Sequence, residues 1–241
     1  MQPLVSCILA TRNRRRFLGQ AIRYFLHQRY EHKELILIDD SSEPIDDLVP
    51  AHEQIRHLRL PEYTNVGAKL NLGIQHARGA IIQKLDDDDY YHPDFLPTTV
   101  QLLQSGGSAS AVVGSDCFLV LIAATGALKF SGHGWCAGGT LCFFKQLWEQ
   151  RPFRDLPRAI DWWFLKDHAP ERIKLQNPEL YILVRHADGH LWNTLGKGDV
   201  SAYFRRQPNY SHALSDIVAP ADYAFYERFR TVAPVGSRGE P

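Results

Sequence analysis

Neither sign of charge dominates this chain. Lysine plus arginine equals aspartate plus glutamate, 27 against 27. The whole-chain balance therefore argues neither for nor against a nucleic-acid partner and leaves that to local clusters; none is expected. Cysteine is scarce, and the four present (Cys7, Cys117, Cys136, Cys142) form no CxxC pair and no zinc spacing. That excludes a disulfide scaffold and points to a reducing, cytoplasmic setting. Long apolar runs are missing too. The longest candidate, Ala109 to Leu128, is broken by Gly114, Asp116 and Gly126, so no membrane-spanning helix is expected. Contact with the cytoplasmic face of a membrane is left open. The N-terminus has no basic segment followed by an apolar stretch, so no secretion signal is expected. What is there is ordinary for a soluble globular domain: 44% hydrophobic and 22% charged residues.

The first half alternates strand and helix signals. Leu4 to Ala10 is a nearly continuous apolar run, as a strand buried on both faces requires. Phe17, Leu18, Ala21, Ile22, Phe25 and Leu26 recur at helical spacing. Leu35 to Ile38 is a second buried strand, followed by a short helix over Ile45 to Gln54 and a brief strand over His57 to Leu60. Val66, Leu70, Ile74 and Ala77 stripe another helix, which Gly79 stops. Ala80 to Leu85 is the fourth strand, and Pro93 suits the start of the next helix, through Gln104. This order predicts a doubly wound, mostly parallel α/β sheet of Rossmann-like character.

The second half is less regular. Ala111 to Leu121 reads as one strand, with Ala127 to Phe130 beside it. Gly132 to Gly139 reads as a loop at a site, and Leu141 to Trp148 as a strand followed by a short helix. Ala159 to His168 is a compact helix, in which one of Trp162 and Trp163 is expected in the core. Leu180 to Val184 is a late strand. The expected division is a main domain over 1–200, split near 105, and a partly helical extension over 201–241 with a disordered end from Gly236.

Ligands of such sheets gather at the carboxyl ends of the strands. Here those ends carry Thr11-Arg12-Asn13, Asp39-Asp40 and Asp86-Asp87-Asp88-Asp89. Four adjacent carboxylates repel one another and serve no obvious packing need. At a strand end they suit a hard divalent cation, which takes oxygen ligands and leaves room for a diphosphate. A solvated acidic loop is the bland alternative. Asp39 and Asp40 can accept hydrogen bonds from a base N–H or from ribose hydroxyls, while Ser41 and Ser42 read as helix caps. The cluster Arg12, Arg14, Arg15, Arg16 sits unfavourably at a helix start. One or two of these reach a diphosphate or a phosphorylated acceptor, and Arg15 and Arg16 form a solvated face.

These residues, in this order, resemble the family 2 glycosyltransferases of the GT-A fold. The resemblance runs from Val5 to Phe95 and more loosely to Asn193. It rests on Thr11-Arg12-Asn13-Arg14, where the family often has an aromatic in place of Arg12. It rests also on Gln28, Asp39-Asp40-Ser41-Ser42, Asn65, Gly67 and Asn71, and on Leu85 to Asp89 with Pro93 as a DXD motif. Ile160-Asp161-Trp162-Trp163 stands where the family often has Glu-Asp, and Arg185-His186 with Trp192-Asn193 resembles a late histidine segment.

The resemblance implies a metal-dependent, inverting transfer of a sugar from a UDP- or dTDP-type donor to a hydroxyl of a saccharide, lipid-linked or small-molecule acceptor. Asp88, Asp86 and His186 would hold Mn²⁺ or Mg²⁺, with His133 and His190 as weaker rivals to His186. Ala10, Thr11, Asn13, Asp39, Asp40, Asn65, Lys69, Asp86 and Asp87 would line the nucleotide sugar. Lys69 reads equally well as a solvated surface lysine. Asp161 would be the catalytic base, against the competing candidates Asp155 and Asp167. Three other functions remain open: a sugar nucleotidyltransferase, disfavoured because Arg12 to Gly19 holds a single late glycine, a non-catalytic module that binds sugars or nucleotides, and, weakest, a nucleic-acid or membrane-surface binder acting through the arginines and the aromatic tail.

Overall fold

The structure is a computed structural model and describes residues 2–187, 190–195 and 198–231. In chain order it runs β1 (Val5–Thr11), α1 (Arg15–Leu26), β2 (Lys33–Asp39), β3 (Ile55–Arg59), α2 (Val66–His76), β4 (Ile81–Leu85), β5 (Tyr90–Tyr91) and α3 (Phe95–Ser105). Then follow β6 (Val112–Ser115), β7 (Leu119–Ile122), β8 (Ala127–Phe130), β9 (Cys142–Phe144), α4 (Lys145–Gln150), α5 (Ile160–His168), β10 (Arg172–Leu175) and β11 (Tyr181–Arg185). The last elements are β12 (Thr194–Leu195), β13 (Gly198–Asp199), α6 (Val200–Arg205), α7 (Leu214–Ile217) and α8 (Pro220–Glu227).

Seven strands form the main sheet in the order β10-β6-β9-β4-β1-β2-β3. All its pairings are parallel except those of β9, which is antiparallel to both β4 and β6. Period-two alternation explains the continuous apolar runs. Cys7, Leu9, Leu35 and Leu37 face α1 and α3 in one apolar cluster, and Ile8, Ile36 and Ile38 face α2 and α5 in the other. The order places β1 next to both β2 and β4. The ends of those three strands, where the polar residues sit, therefore share one edge.

A second sheet, β5-β11-β7-β8, lies beyond β4. The apolar run expected as one strand over Ala111 to Leu121 is two, β6 in the main sheet and β7 in the second. The chain changes sheets at Asp116, whose carboxylate accepts from Lys174, His133 and the Gly134 N–H. The expected helix over Ile45 to Gln54 shrinks to a single 3₁₀ turn at Asp46–Leu48. Pro44 and Pro50 bracket it and leave too little chain for a longer helix. Ser41 does not cap a helix either; its hydroxyl accepts from the Asn13 N–H at 2.7 Å and ties the end of β2 to that of β1. Of the tryptophans, neither is core: Trp162 is 56% exposed, and Trp163 lies under the Arg154 guanidinium. Phe164 and Leu165 fill the core instead.

The final helices dock on the main body. Asp222 of α8 accepts from Gln20 and Arg23 of α1, and the Tyr24 hydroxyl donates to Tyr226. The segment from Gly236, expected to be disordered, lies outside the described residues. The four cysteines are free thiols. No helix among the described residues is long and apolar enough to cross a membrane.

Candidate active site

The edge is built strand by strand. At the end of β2, adjacent carboxylates part company because successive side chains leave opposite faces of the strand. Asp39 turns inward, fully buried, and is held by the Arg59 guanidinium and the Ser41 N–H. Asp40 turns toward α2, where Lys69 Nζ donates to Oδ1 at 2.7 Å. Its Oδ2 accepts from Arg12 at 3.1 Å and from the Thr64 N–H at 2.8 Å. Burial opposes the charge on Asp40, but these donors, Lys69 foremost, hold its carboxyl below the usual range. Lys69 is not a solvated lysine: it is 5% exposed and also donates to the Thr11 carbonyl at 2.9 Å.

At the end of β1, Ala10 pairs in register with Ile38, and the Thr11 hydroxyl donates to Asp87 Oδ2 at 2.6 Å. Asn13 sits in the left-handed region at φ 54° and accepts from the Ser42 N–H at 2.9 Å, a conformation that asparagine tolerates better than most residues. Asn65 caps α2, its Oδ1 accepting from the Ala68 N–H at 3.1 Å while its amide donates to Asp155. Both of its polar ends are thus taken up inside the protein.

The four aspartates after β4 meet four different environments. Asp86 Oδ1 accepts from Lys84 at 2.6 Å. Asp87 is pushed up to about 7 by its burial and by Asp88, with Arg14 and Thr11 opposing. Asp88 Oδ2 gathers Arg14 NH1 at 3.0 Å, His186 Nε2 at 3.0 Å and His190 Nδ1 at 3.5 Å. Burial works against ionised Asp88, but the histidine hydrogen bonds and Arg14 hold its carboxyl well below the usual range. Asp89 is buried and accepts from the Tyr181 hydroxyl and from the Val184 N–H at 2.9 Å. It clamps β11 to the end of β4. One of the four acids therefore has a packing role after all, and that clamp carries His186 to Asp88.

His186 is held from two sides. Its ring stacks on Phe17 with centroids 4.3 Å apart, and Phe17 stacks in turn on Phe229. Arg14 NH1 lies 3.1 Å from His186 Nε2. A nitrogen that accepts from Arg14 cannot also donate to Asp88, so these two contacts are tautomeric alternatives. Burial lowers the imidazole pKa and favours its neutral, ligand-competent form. Ligand atoms of Asp88, His186 and His190 lie within 4.8 Å of one another. One carboxylate oxygen with two imidazole nitrogens suits Mn²⁺ better than Mg²⁺, so the donor set fits a divalent cation. Asp86 is not part of that set. His133 is elsewhere, on Asp116.

Asp161 opens α5 and faces Lys84 across 3.7 Å. Its Oδ1 is buried and has no hydrogen-bond partner. Burial raises its carboxyl pKa; Lys84 pulls the other way, and Asp86 adds to the rise. The rival acids are committed elsewhere. Asp167 is paired bidentately with Arg154 at 2.7 Å, and Asp155 accepts from Asn65. The remaining arginines are occupied as well: Arg15 pairs with Asp47, and the Arg16 guanidinium lies 4.0 Å over the Phe229 ring. Sequence reasoning missed Lys84 and ranked His190 low. The signal for the first is a lysine inside a buried strand; His190 carries none, because a loop brings it back.

Residues 6–120 match the sequence model described as glycosyl transferase family 2. That match takes in just under half of the chain, the half that carries β1 to β4 and the four aspartates. An uncharacterized glycosyltransferase of Haemophilus influenzae is 34% identical over 99 residues, 39% of this chain and 40% of that one. The chain spans about two fifths of the length of the curated relatives it matches first. Among solved structures, S. aureus TarS in complex with UDP-GlcNAc superposes with a TM-score of 0.61 at 16% identity, over 80% of this chain and 61% of that one. The mannosyltransferase PcManGT from Pyrobaculum calidifontis, in complex with GDP-Man and Mn²⁺, gives 0.60 at 17% identity, over 77% and 57%. These likenesses show the GT-A fold.

Proposed function

We propose that the protein is a metal-dependent, inverting glycosyltransferase. It takes a sugar from a UDP- or dTDP-type donor and gives it to a hydroxyl of a saccharide, lipid-linked or small-molecule acceptor. The observation that carries this reading is the convergence on one edge of Asp40, the Asp88–His186–His190 set and the partly exposed carboxylate of Asp161. TarS binds UDP-GlcNAc and PcManGT binds GDP-Man with Mn²⁺, which supports a nucleotide-sugar donor.

Asp40 recognises the base. A carboxylate offers about four acceptor positions, and Lys69, Arg12 and the Thr64 N–H use three of them. The fourth is the position a base N–H would take, and the Arg12 side chain, 39% exposed over this buried carboxylate, would shift to admit it. Ala10, Thr11 and Asn13 flank it on β1, and Asp86 and Asp87 face the ribose or sugar, whereas Asp39, Asn65 and Lys69 support the pocket from behind. Asp88, His186 and His190 would hold the cation, which, when bound, neutralises charge on the departing diphosphate. Arg14, on the same oxygen of Asp88, supplies positive charge there. Asp161 takes the acceptor's proton as its oxygen bonds to the anomeric carbon and the carbon–phosphate-oxygen bond breaks; one displacement inverts the configuration. Trp162, exposed beside Asp161, offers a flat face to an acceptor ring. Residues 1–105 form the donor half and 106–200 the acceptor half, with 201–241 as an extension. The setting proposed is cytoplasmic, with or without contact at a membrane surface, and without nucleic acid.

A donor screen with Mn²⁺ tests this. Release of nucleoside diphosphate from UDP- or dTDP-sugars is measured with and without acceptors, and GDP-mannose serves as the competing donor. Turnover lost in Asp161→Asn supports the reading. Tight binding with no turnover of any donor would make the protein a non-catalytic nucleotide-sugar module.

A further inference from the structure

The central strand carries one lysine that neither the base pocket nor the cation-ligand set uses. Lys84 is the fourth residue of β4, and its side chain is 6% exposed. Its Nζ lies 2.6 Å from Asp86 Oδ1 and 3.7 Å from Asp161 Oδ1. Those two acids come from different halves of the site: Asp86 follows β4, and Asp161 opens α5.

A glycine turn closes on both acids from the other side. Gly138 packs directly against Asp161 Oδ2, and a Cβ at Gly139 would stand 2.6 Å from Asp86 Oδ2. Only residues without side chains allow the turn to come so near. The Tyr91 hydroxyl accepts from the Asp86 N–H at 2.7 Å and donates to the Gly139 carbonyl at 2.8 Å, which fixes the turn to the acid. Lysine, two carboxylates and turn thus pack as one unit.

Asp86 and Asp161 lie beside three further aspartates, and a cation between the two offsets their repulsion. Lys84 is the buried cation in contact with both. The two contacts differ. Asp86 receives a hydrogen bond, which fixes its orientation. Asp161 receives charge stabilisation at 3.7 Å without a hydrogen bond, and its Oδ1 stays unpartnered. Lys84 thus faces the buried oxygen, and the 28% exposure of the Asp161 side chain leaves its other oxygen to accept from a substrate hydroxyl.

We propose that Lys84 is a positioning residue that sets Asp86 and Asp161 in a fixed relation, so that the donor's sugar and the acceptor's proton acceptor are presented to each other. The proposal rests on the glycosyl-transfer reading above. It also makes Gly138-Gly139 part of the same device.

The test compares wild type with Lys84→Met and Lys84→Arg. Three quantities are measured: turnover at saturating donor, the Kd of the free nucleoside diphosphate with Mn²⁺, and Tm. The expected result for Lys84→Met is a fall in turnover of about 100-fold, in the range of a misplaced general base, with Kd changed less than about 5-fold. Lys84→Arg keeps the charge and is expected to recover at least about 10-fold of that loss. Lys84→Met turning over at more than half the wild-type rate overturns the proposal. So does a turnover loss matched by equal weakening of Kd, or one that Lys84→Arg shares in full at wild-type Tm. Should Lys84→Met fail to fold, the arginine variant alone decides by that last criterion. Wild-type protein that turns over no nucleotide sugar is a different outcome: it defeats the functional reading first and this proposal with it.

Discussion

Replacing Lys69 by methionine removes the cation nearest Asp40, a buried acid of the proposed base pocket. Methionine keeps most of the apolar stem and deletes the ammonium. Lys69 Nζ donates to Asp40 Oδ1 at 2.7 Å and to the Thr11 carbonyl at 2.9 Å, and the Asp40 side chain has no solvent exposure. Breaking a buried pair from one side costs about 3–5 kcal/mol. Arg12 and the Thr64 N–H still hold Oδ2, which places the expected loss near the lower end, about 3 kcal/mol. For a chain of this size that is a fall in Tm of roughly 6–12 °C. The pH dependence has a definite sign. Asp40 is held below the usual carboxylate range, so its contribution is present above its unfolded pKa and is lost as pH falls through its folded value. Without Lys69 the folded value rises, and the variant buries Asp40 protonated at less extreme acidity. The gap between the two proteins is therefore widest at pH 7 and narrows below about pH 5. Urea titrations at pH 7 and pH 4.5 read it directly. A gap under about 1 kcal/mol at pH 7, the size of a surface pair, or one that widens with acid, refutes the reasoning.

Asp161→Asn is expected to lower turnover by about 10²–10⁴-fold, the worth of a positioned general base, with nucleoside diphosphate binding retained by calorimetry. Because burial raises the Asp161 carboxyl above its ordinary value, the acid limb of the wild-type pH–rate profile is expected above the usual carboxylate range, and activity rises with pH through it. Tyr181→Phe deprives buried Asp89 of one of its two donors and is expected to cost about 1–3 kcal/mol in denaturant titration, with Asp89→Ala costing more. Gly139→Ala places a methyl group 2.6 Å from Asp86 Oδ2 and 2.9 Å from the Tyr181 hydroxyl. Steady-state kinetics should show its turnover falling further than its Tm suggests.

The half of the fold that carries the acids was legible because burial on both faces leaves a simple mark. Cys7, Ile8 and Leu9 alternate between two apolar clusters, so no polar residue interrupts the run. The same mark fails where the chain changes sheets. Val112–Ser115 and Leu119–Ile122 are equally buried, and nothing in the run announces that they pair with different partners. Ile45, Leu48 and Val49 mimic a helical stripe, but the flanking prolines decide. Within the site, sequence marked the acids without separating them. Asp86, Asp87, Asp88 and Asp89 are the same letter, and their fates follow from Lys84 two residues back and from partners far along the chain: Gly139, Thr11, His186 and Tyr181. Lys84 reads as an oddity in a buried strand until Asp161, 77 residues on, is seen to face it.

The central claim is that the acid edge binds a nucleoside diphosphate through a divalent cation held at Asp88. Calorimetry of UDP with Mn²⁺, with the metal chelated, and with Asp88→Ala tests it most directly. The account predicts binding that requires the metal and weakens at least about 10-fold in the variant. Binding of equal strength without metal, or in Asp88→Ala, would contradict it.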